Sequence, residues 1–314
     1  MNKRDLVLSL LDPTHLSTYT PAAFFLHFDP SCHRGQAAVD KHLEYFHDTG
    51  MDFVKIQYEH TFPVLDHIQH PADWANMPLY KEDFFEPPLK VVEGIVKAAK
   101  AEALVIVTLY SPFMCAGHAV GPERMLQHIH EDPEAVKKGM QIVTDSLMTF
   151  VKDCIRLGVD GFYTSTQGGE THRLADPALF NALVRPYDLA LMNESNHSCI
   201  FNILHICDYA GDYDDLQRFL DYPGHVINCP LRIAGRPISG QEVTDLFGRP
   251  YMGGLDRKGI ITSGSPAQVR AAALAALQSS PRHFILGADC TVLPGTPWEN
   301  LRAAIETAHQ FPHT

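Results

Sequence analysis

The chain alternates short apolar runs with longer stretches in which apolar residues recur every three or four positions. The runs are FFLHF (24–28), FVKIQYE (53–59), ALVIVTLY (103–110), GFYTST (161–166), CIFNILHIC (199–207), HVINCP (225–230), PYMGGLD (250–256) and HFILGADC (283–290). They have the length of buried strands. Between them, stretches such as AVDKHLEYFHDTG, EAVKKGMQIVTDSLMTFVKDCIRLG and PAQVRAAALAAL carry the period of amphipathic helices. Several helix starts are legible. Asp132-Pro133 and Ser265-Pro266 read as an N-cap followed by proline at the first helical position. Thr296-Pro297-Trp298-Glu299 has the form of a capping box.

Eight strand–helix repeats predict an α/β protein, a single (β/α)8 TIM barrel. A doubly wound sheet is the rival, but no G-x-G-x-x-G or Walker loop follows any run. Residues 1–20 read as a leading helix and connector, a short N-terminal helical extension. The proline-rich stretch from His60 to Pro88 reads as a long loop on the functional face. With no repeat, low-complexity tract or linker, residues 1–314 are expected to form one domain.

Composition narrows the partners. A net charge of −12, from 37 acidic residues against 25 Lys and Arg, argues against nucleic acid or an anionic membrane surface. The apolar stretch between Asp5 and Asp12 is too short and too charged for a signal peptide, and no later run could span a bilayer. The seven cysteines are odd in number and scattered, without a disulfide spacing. A cytoplasmic location is expected, where thiols pack, bind metal or react.

In such a barrel the active site lies at the carboxyl ends of the strands. His205 and Cys207 close the fifth run two positions apart, so a strand would send both side chains to one face. Cys290 closes the eighth. Phe201, Ile203, His205 and Cys207 share one parity; Phe284, Leu286, Ala288 and Cys290 share another. If both faces line the barrel, the three donors meet at its mouth. Two thiolates and an imidazole suit Zn2+, and three protein ligands leave the open position of a catalytic ion. Core packing is the competing reading, because free cysteines are among the most buried residue types.

Other polar groups close the runs. Glu59 shares parity with Lys55 and Gln57, which describes either a pocket face or a salt-bridged layer inside the barrel. Asp256 follows Gly253-Gly254, where missing side chains would admit a ligand to the backbone. Asp256 and Glu59 are the candidate catalytic carboxylates. His27, Tyr58, Gln167 and Asn228 are the candidate substrate-binding residues, although a hydrogen-bonded structural histidine also describes His27. Cys115 and His118, in SPFMCAGHAVG, form a Cys-x-x-His pair that reads as loop packing rather than as a rival metal site. Asp208 and Asp212 are close enough in sequence to support the proposed ligands from behind.

LHICDYAG (204–211), GGLD (253–256) and GADCTVLPGTPWENLRAAIE (287–306) resemble the uroporphyrinogen decarboxylase superfamily. Within it, H-x-C with a late Cys is similar to the zinc-dependent corrinoid:coenzyme M methyltransferase branch. The resemblance implies the same barrel and zinc ligation by His205, Cys207 and Cys290. It also implies a small thiol substrate and a methyl group on a corrinoid carried by a partner protein; a homodimer is compatible with it. Two departures separate the chain from true uroporphyrinogen decarboxylases. Their Arg-rich, carboxylate-gripping segment reads FFLHFDPSCHRG here, with one Arg, and their late GHG reads GADC. Unpaired buried carboxylates are costly, so tetrapyrrole decarboxylation is disfavoured. Asp208 also stands where those methyltransferases usually carry Gly. The expected activity is a zinc-dependent methyl transfer to a thiol. A cofactor-independent decarboxylase of a different acid is the alternative, and it has no use for two thiolates. An accessory protein that binds zinc or corrinoid without turnover is the third reading.

Overall fold

The computed structural model describes residues 2–15 and 18–312. Residues 1, 16 and 17 of the expected leading segment lie outside the described residues, as do 313–314. Seven parallel strands pair strictly in chain order: β1 (Phe53–Ile56), β2 (Leu104–Tyr110), β3 (Gly161–Thr166), β4 (Ile203–Ile206), β5 (Val226–Asn228), then β8 (Tyr251–Leu255) and β9 (Phe284–Ala288). β6 (Arg232–Ile233) and β7 (Arg236–Pro237) form a small antiparallel hairpin apart from this sheet. Helices or turns cover each crossover, so both faces of most strands are buried and the strands read as continuous apolar runs.

The first apolar run supplies the eighth stave without becoming a ladder. Ala22 bridges Leu286 and Leu26 bridges Val292 on the β9 side. On the other side Asp52 N–H donates to Ala22 O. The Asp52 carboxylate accepts Ala22 N–H at 2.7 Å. A side chain thus takes a backbone partner's place, which is why pairing here is interrupted although the (β/α)8 barrel closes. Phe25, Phe53, Phe201 and Tyr163 pack edge to face across the lumen, with centroids 5.4–5.8 Å apart.

The expected leading helix is Lys3–Leu8. It is tied across the amino-terminal end of the barrel: Arg4 reaches Asp160 at 2.6 and 2.7 Å, just before β3. Asp160 also accepts Val105 N–H at 2.9 Å.

Three local expectations need correction. The loop expected to run to Pro88 ends earlier, because the helix Glu82–Ala99 contains Pro87 and Pro88 inside it. Proline removes one backbone donor each time, and the buried apolar stripe Phe85, Val91, Val92 and Ile95 holds the helix regardless. SPFMCAGHAVG is a helix, Pro112–Val120, rather than a loop, capped by the Ser111 side chain on Met114 N–H. The helix Trp298–His309 has Pro297 at its N-cap, since Thr296 spends its hydroxyl on Leu293 O. By contrast Asp132 and Ser265 cap as expected. No helix among the described residues is long and apolar enough to cross a membrane.

Candidate metal centre and active site

β4 and β9 are fully buried, and both deliver their last polar residues to the same end of the barrel. His205 lies in register with Ser165 of β3 and Asn228 of β5. Cys207 continues the extended path one residue past β4, its N–H donating to Thr166 O. The ligand atoms of His205, Cys207 and Cys290 all lie within 4.8 Å of one another. His205 Nε2 is 3.3 Å from Cys290 Sγ. Its Nδ1 is buried with no hydrogen-bond partner among the described residues. The neighbouring Cys290 thiol holds Cys207 well below the usual thiol range, while Cys207 and burial together hold Cys290 well above it.

This donor set fits a metal ion. Zinc bonds of about 2.0–2.3 Å in a tetrahedron put donors about 3.5–3.8 Å apart, within about 1 Å of the spacing found. The Cys207 thiol is shifted toward its ionised form, and the soft sulfur–imidazole set suits zinc.

The surroundings orient these groups. Tyr163 stacks on His205, centroids 4.8 Å apart. Its hydroxyl donates to Asn228 Oδ1 at 2.6 Å. Asn228 Nδ2 donates to Met252 O and Ala288 O, both at 2.9 Å. Gln167 Nε2 donates to Cys207 Sγ at 3.5 Å, and Arg173 Nη1 donates to Gln167 Oε1 at 2.8 Å. Arg173 therefore decides which end of the amide faces the sulfur. Lys55 projects into the lumen between Phe25 and Tyr163, 4.6 and 4.9 Å from the ring centroids. Its ammonium donates to Gln57 Oε1, and burial pulls its pKa down to about 7.

The structure brings together the three expected ligands and Gln167. It separates others. Asn228, expected at the substrate, is fully buried with both amide ends engaged between strands. Tyr58 turns into the helical layer, because β1 ends at Ile56; its ring packs on Phe150 at 5.1 Å. Asp256 is exposed, and its Oδ1 accepts Lys258 N–H in a turn. Glu59 and His27 pair with each other, Nδ1 to Oε1 at 2.8 Å. A narrow cleft beside them is lined by His33, Gln57, Tyr58, Glu59 and His60, among others, and not by His205, Cys207 or Cys290. Gly253 admits the Tyr251 ring rather than a ligand: a Cβ there would meet the Tyr251 hydroxyl at 2.2 Å, so the expected opening is filled from within. Cys115 is buried beneath Tyr110 O, and neither it nor His118 joins a cluster of three such donors among the described residues.

Two charged groups escaped the sequence reading. Arg257 and Asp289 are both buried, and Arg257 Nη1 lies 2.6 Å from Asp289 Oδ2 and 2.7 Å from Asp208 Oδ1. Asp289 directly precedes Cys290, which was the available signal; its partner is distant in sequence.

Fold and site together define a (β/α)8 barrel with a His-Cys-Cys cluster at its strand ends. The chain matches the family model described as uroporphyrinogen decarboxylase (URO-D) over residues 45–311, and it belongs to that family. It is 29% identical over 224 residues to the methylated-thiol–coenzyme M methyltransferase of Methanosarcina mazei, across 66% of this chain and 53% of that protein. The match thus spans about half the length of that curated relative. A solved methyltransferase from Methanosarcina mazei has a TM-score of 0.74 at 13% identity, covering 98% of both chains. The B12-independent methionine synthase of Shewanella sp. W3-18-1, in complex with selenomethionine, has a TM-score of 0.53 at 13% identity, covering 93% of this chain and 96% of that one. At these identities the solved structures speak for the fold alone.

Proposed function

We propose that this protein is a zinc-dependent methyltransferase that activates a small thiol for attack on a corrinoid-bound methyl group. The observation that carries the proposal is the convergence of one imidazole and two thiols within 4.8 Å at the mouth of the barrel. The likeness to a methyltransferase acting on methylated thiols and coenzyme M supports the reaction class. His205, Cys207 and Cys290 would hold the ion and leave one position to the substrate. A bound zinc ion supplies Lewis acidity that keeps a thiol deprotonated near neutral pH.

The chain's own residues do the rest. Gln167, oriented by Arg173, gives one N–H to Cys207 and steadies its charge. Tyr163 covers one face of His205 and keeps water from it. Glu59 and His27, paired with each other beside a separate cleft, would meet only a substrate long enough to reach that cleft from its sulfur. In the transfer a sulfur–carbon bond forms as the carbon–cobalt bond breaks, the bonding pair stays on cobalt, and the thiol proton passes to solvent. The donor is a corrinoid carried by a cytoplasmic partner protein.

The test is metal content by mass spectrometry together with thiol-dependent demethylation of methylcobalamin, for the wild type and Cys290→Ser. About one zinc per chain, lost with the activity in the variant, is the expected result. Protein prepared with zinc and without chelator that contains none would refute the reading and favour a metal-independent decarboxylase.

A further inference from the structure

Arg257 is a charged residue, buried to 5% exposure, that takes no part in the cluster itself. Its Nη1 is shared between Asp289 Oδ2 at 2.6 Å and Asp208 Oδ1 at 2.7 Å. Its backbone N–H also donates to Asp289 Oδ1 at 2.7 Å, so this carboxylate is gripped at both oxygens. Asp289 N–H in turn donates to Leu255 O, the last residue of β8. Asp208 is the residue after Cys207, and Asp289 is the residue before Cys290. One guanidinium thus spans the two loops that carry the sulfur donors, and those loops otherwise leave different, non-adjacent strands.

We propose that Arg257 is a positioning residue for the metal centre, holding the Cys207 and Cys290 loops at the separation one ion requires. The inference rests on the zinc reading above. A guanidinium suits this role because one rigid, permanently charged group hydrogen-bonds Asp289 and ion-pairs with Asp208 through the same Nη1, whereas a flexible ammonium would not set their spacing. Outer partners of metal ligands typically contribute about ten- to a hundredfold in affinity.

Positioning and simple electrostatics predict opposite signs, which makes the inference testable. A cation beside a zinc site repels the incoming ion, so by charge alone its removal would tighten binding. If Arg257 instead spaces the thiols, its removal weakens binding. Zinc affinity is measured on the full chain by competition with a chromophoric chelator, for wild type, Arg257→Met, Asp208→Ala and Arg4→Met. Arg257→Met is expected to bind zinc about ten- to a hundredfold more weakly. Asp208→Ala breaks one arm of the bridge at a partly exposed residue, and should fold even if Arg257→Met does not. Because loss of an anion also weakens binding by charge alone, the expected sign of lost spacing is a loss of about tenfold that persists in about 1 M salt, and a loss that salt abolishes overturns the proposal. Arg4→Met removes the comparable Arg4–Asp160 pair at the far end of the barrel. It should melt earlier yet keep wild-type affinity. Unchanged or tighter binding in folded Arg257→Met overturns the proposal, as does unchanged binding in Asp208→Ala, or an equal loss in Arg4→Met. A wild type that binds no zinc overturns the zinc reading itself, and this inference with it.

Discussion

Lys55 is a buried cation in the barrel lumen, and replacing it with methionine should stabilise the protein at low pH and progressively less as the pH rises. Burial lowers the folded-state pKa from 10.5 to about 7. At about 1.36 kcal/mol per pH unit, that gap corresponds to a penalty of roughly 5 kcal/mol. Below the folded pKa the amine is charged in both states, and the full penalty applies. Between about 7 and 10.5 the unfolded chain holds the proton that the folded chain has released, so stability rises with pH. Above the unfolded pKa the penalty is gone. Methionine has similar length and no charge, but it forfeits the contacts with Phe25 and Tyr163, worth about 1–2 kcal/mol. The net gain expected near pH 6 is therefore about 3–4 kcal/mol.

The pH dependence is the sharper quantity, because packing lost with the side chain does not depend on pH, while the cation–π contacts belong to the same titration. With the two pKa values above, the advantage of Lys55→Met should shrink by about 2–3 kcal/mol between about pH 6 and about pH 9. Urea unfolding of both proteins, with chelator in every sample, reads this difference directly. Groups not coupled to Lys55 titrate alike in both proteins and cancel; the Cys290 thiol, which interacts with it, is removed from the comparison by measuring the pair in a Cys290→Ser background. A difference that stays constant with pH would refute the reasoning. It would mean that the ammonium is solvated or ion-paired in the lumen rather than carrying the desolvation burden.

Two further outcomes follow from close packing in the barrel wall. Gly161→Ala puts a Cβ 1.7 Å from Phe201 O, a backbone atom that cannot rotate away; a loss above about 4 kcal/mol is expected, and a near-wild-type thermal melt would contradict it. Asn228→Ala leaves Met252 O, Ala288 O and the Tyr163 hydroxyl without their partner, at about 3–4 kcal/mol in denaturant unfolding.

The strand order and the barrel were readable because a parallel sheet covered on both faces leaves a nearly unbroken apolar signature. The exceptions are informative. FFLHF reads like the other runs, yet its ladder is broken where Asp52 takes Ala22 N–H, a partnership thirty residues long that no local pattern announces. Pro87 and Pro88 are breakers by propensity. They survive in a helix because Phe85, Val91, Val92 and Ile95 bury its inner face. In both places tertiary contact outweighed the local rule.

The convergence of the His-Cys-Cys cluster was readable for a different reason: strand parity is a two-residue rule, so His205 and Cys207 declare a common direction, and Cys290 declares its own. The groups that orient them obey no such rule. Arg257 meets Asp208 and Asp289 only after the barrel has closed, and Arg173 reaches Cys207 only through Gln167. Lys55 was readable as one of a polar trio but not as the charge at its base, since burial on that scale is a property of the filled lumen. A cation kept there against a penalty of several kcal/mol is the local inconsistency that natural sequences retain at working sites. Lys55 lies in the same lumen as Tyr163, whose other contacts are His205 and Asn228. The destabilising residue and the proposed metal centre therefore share one wall of the barrel.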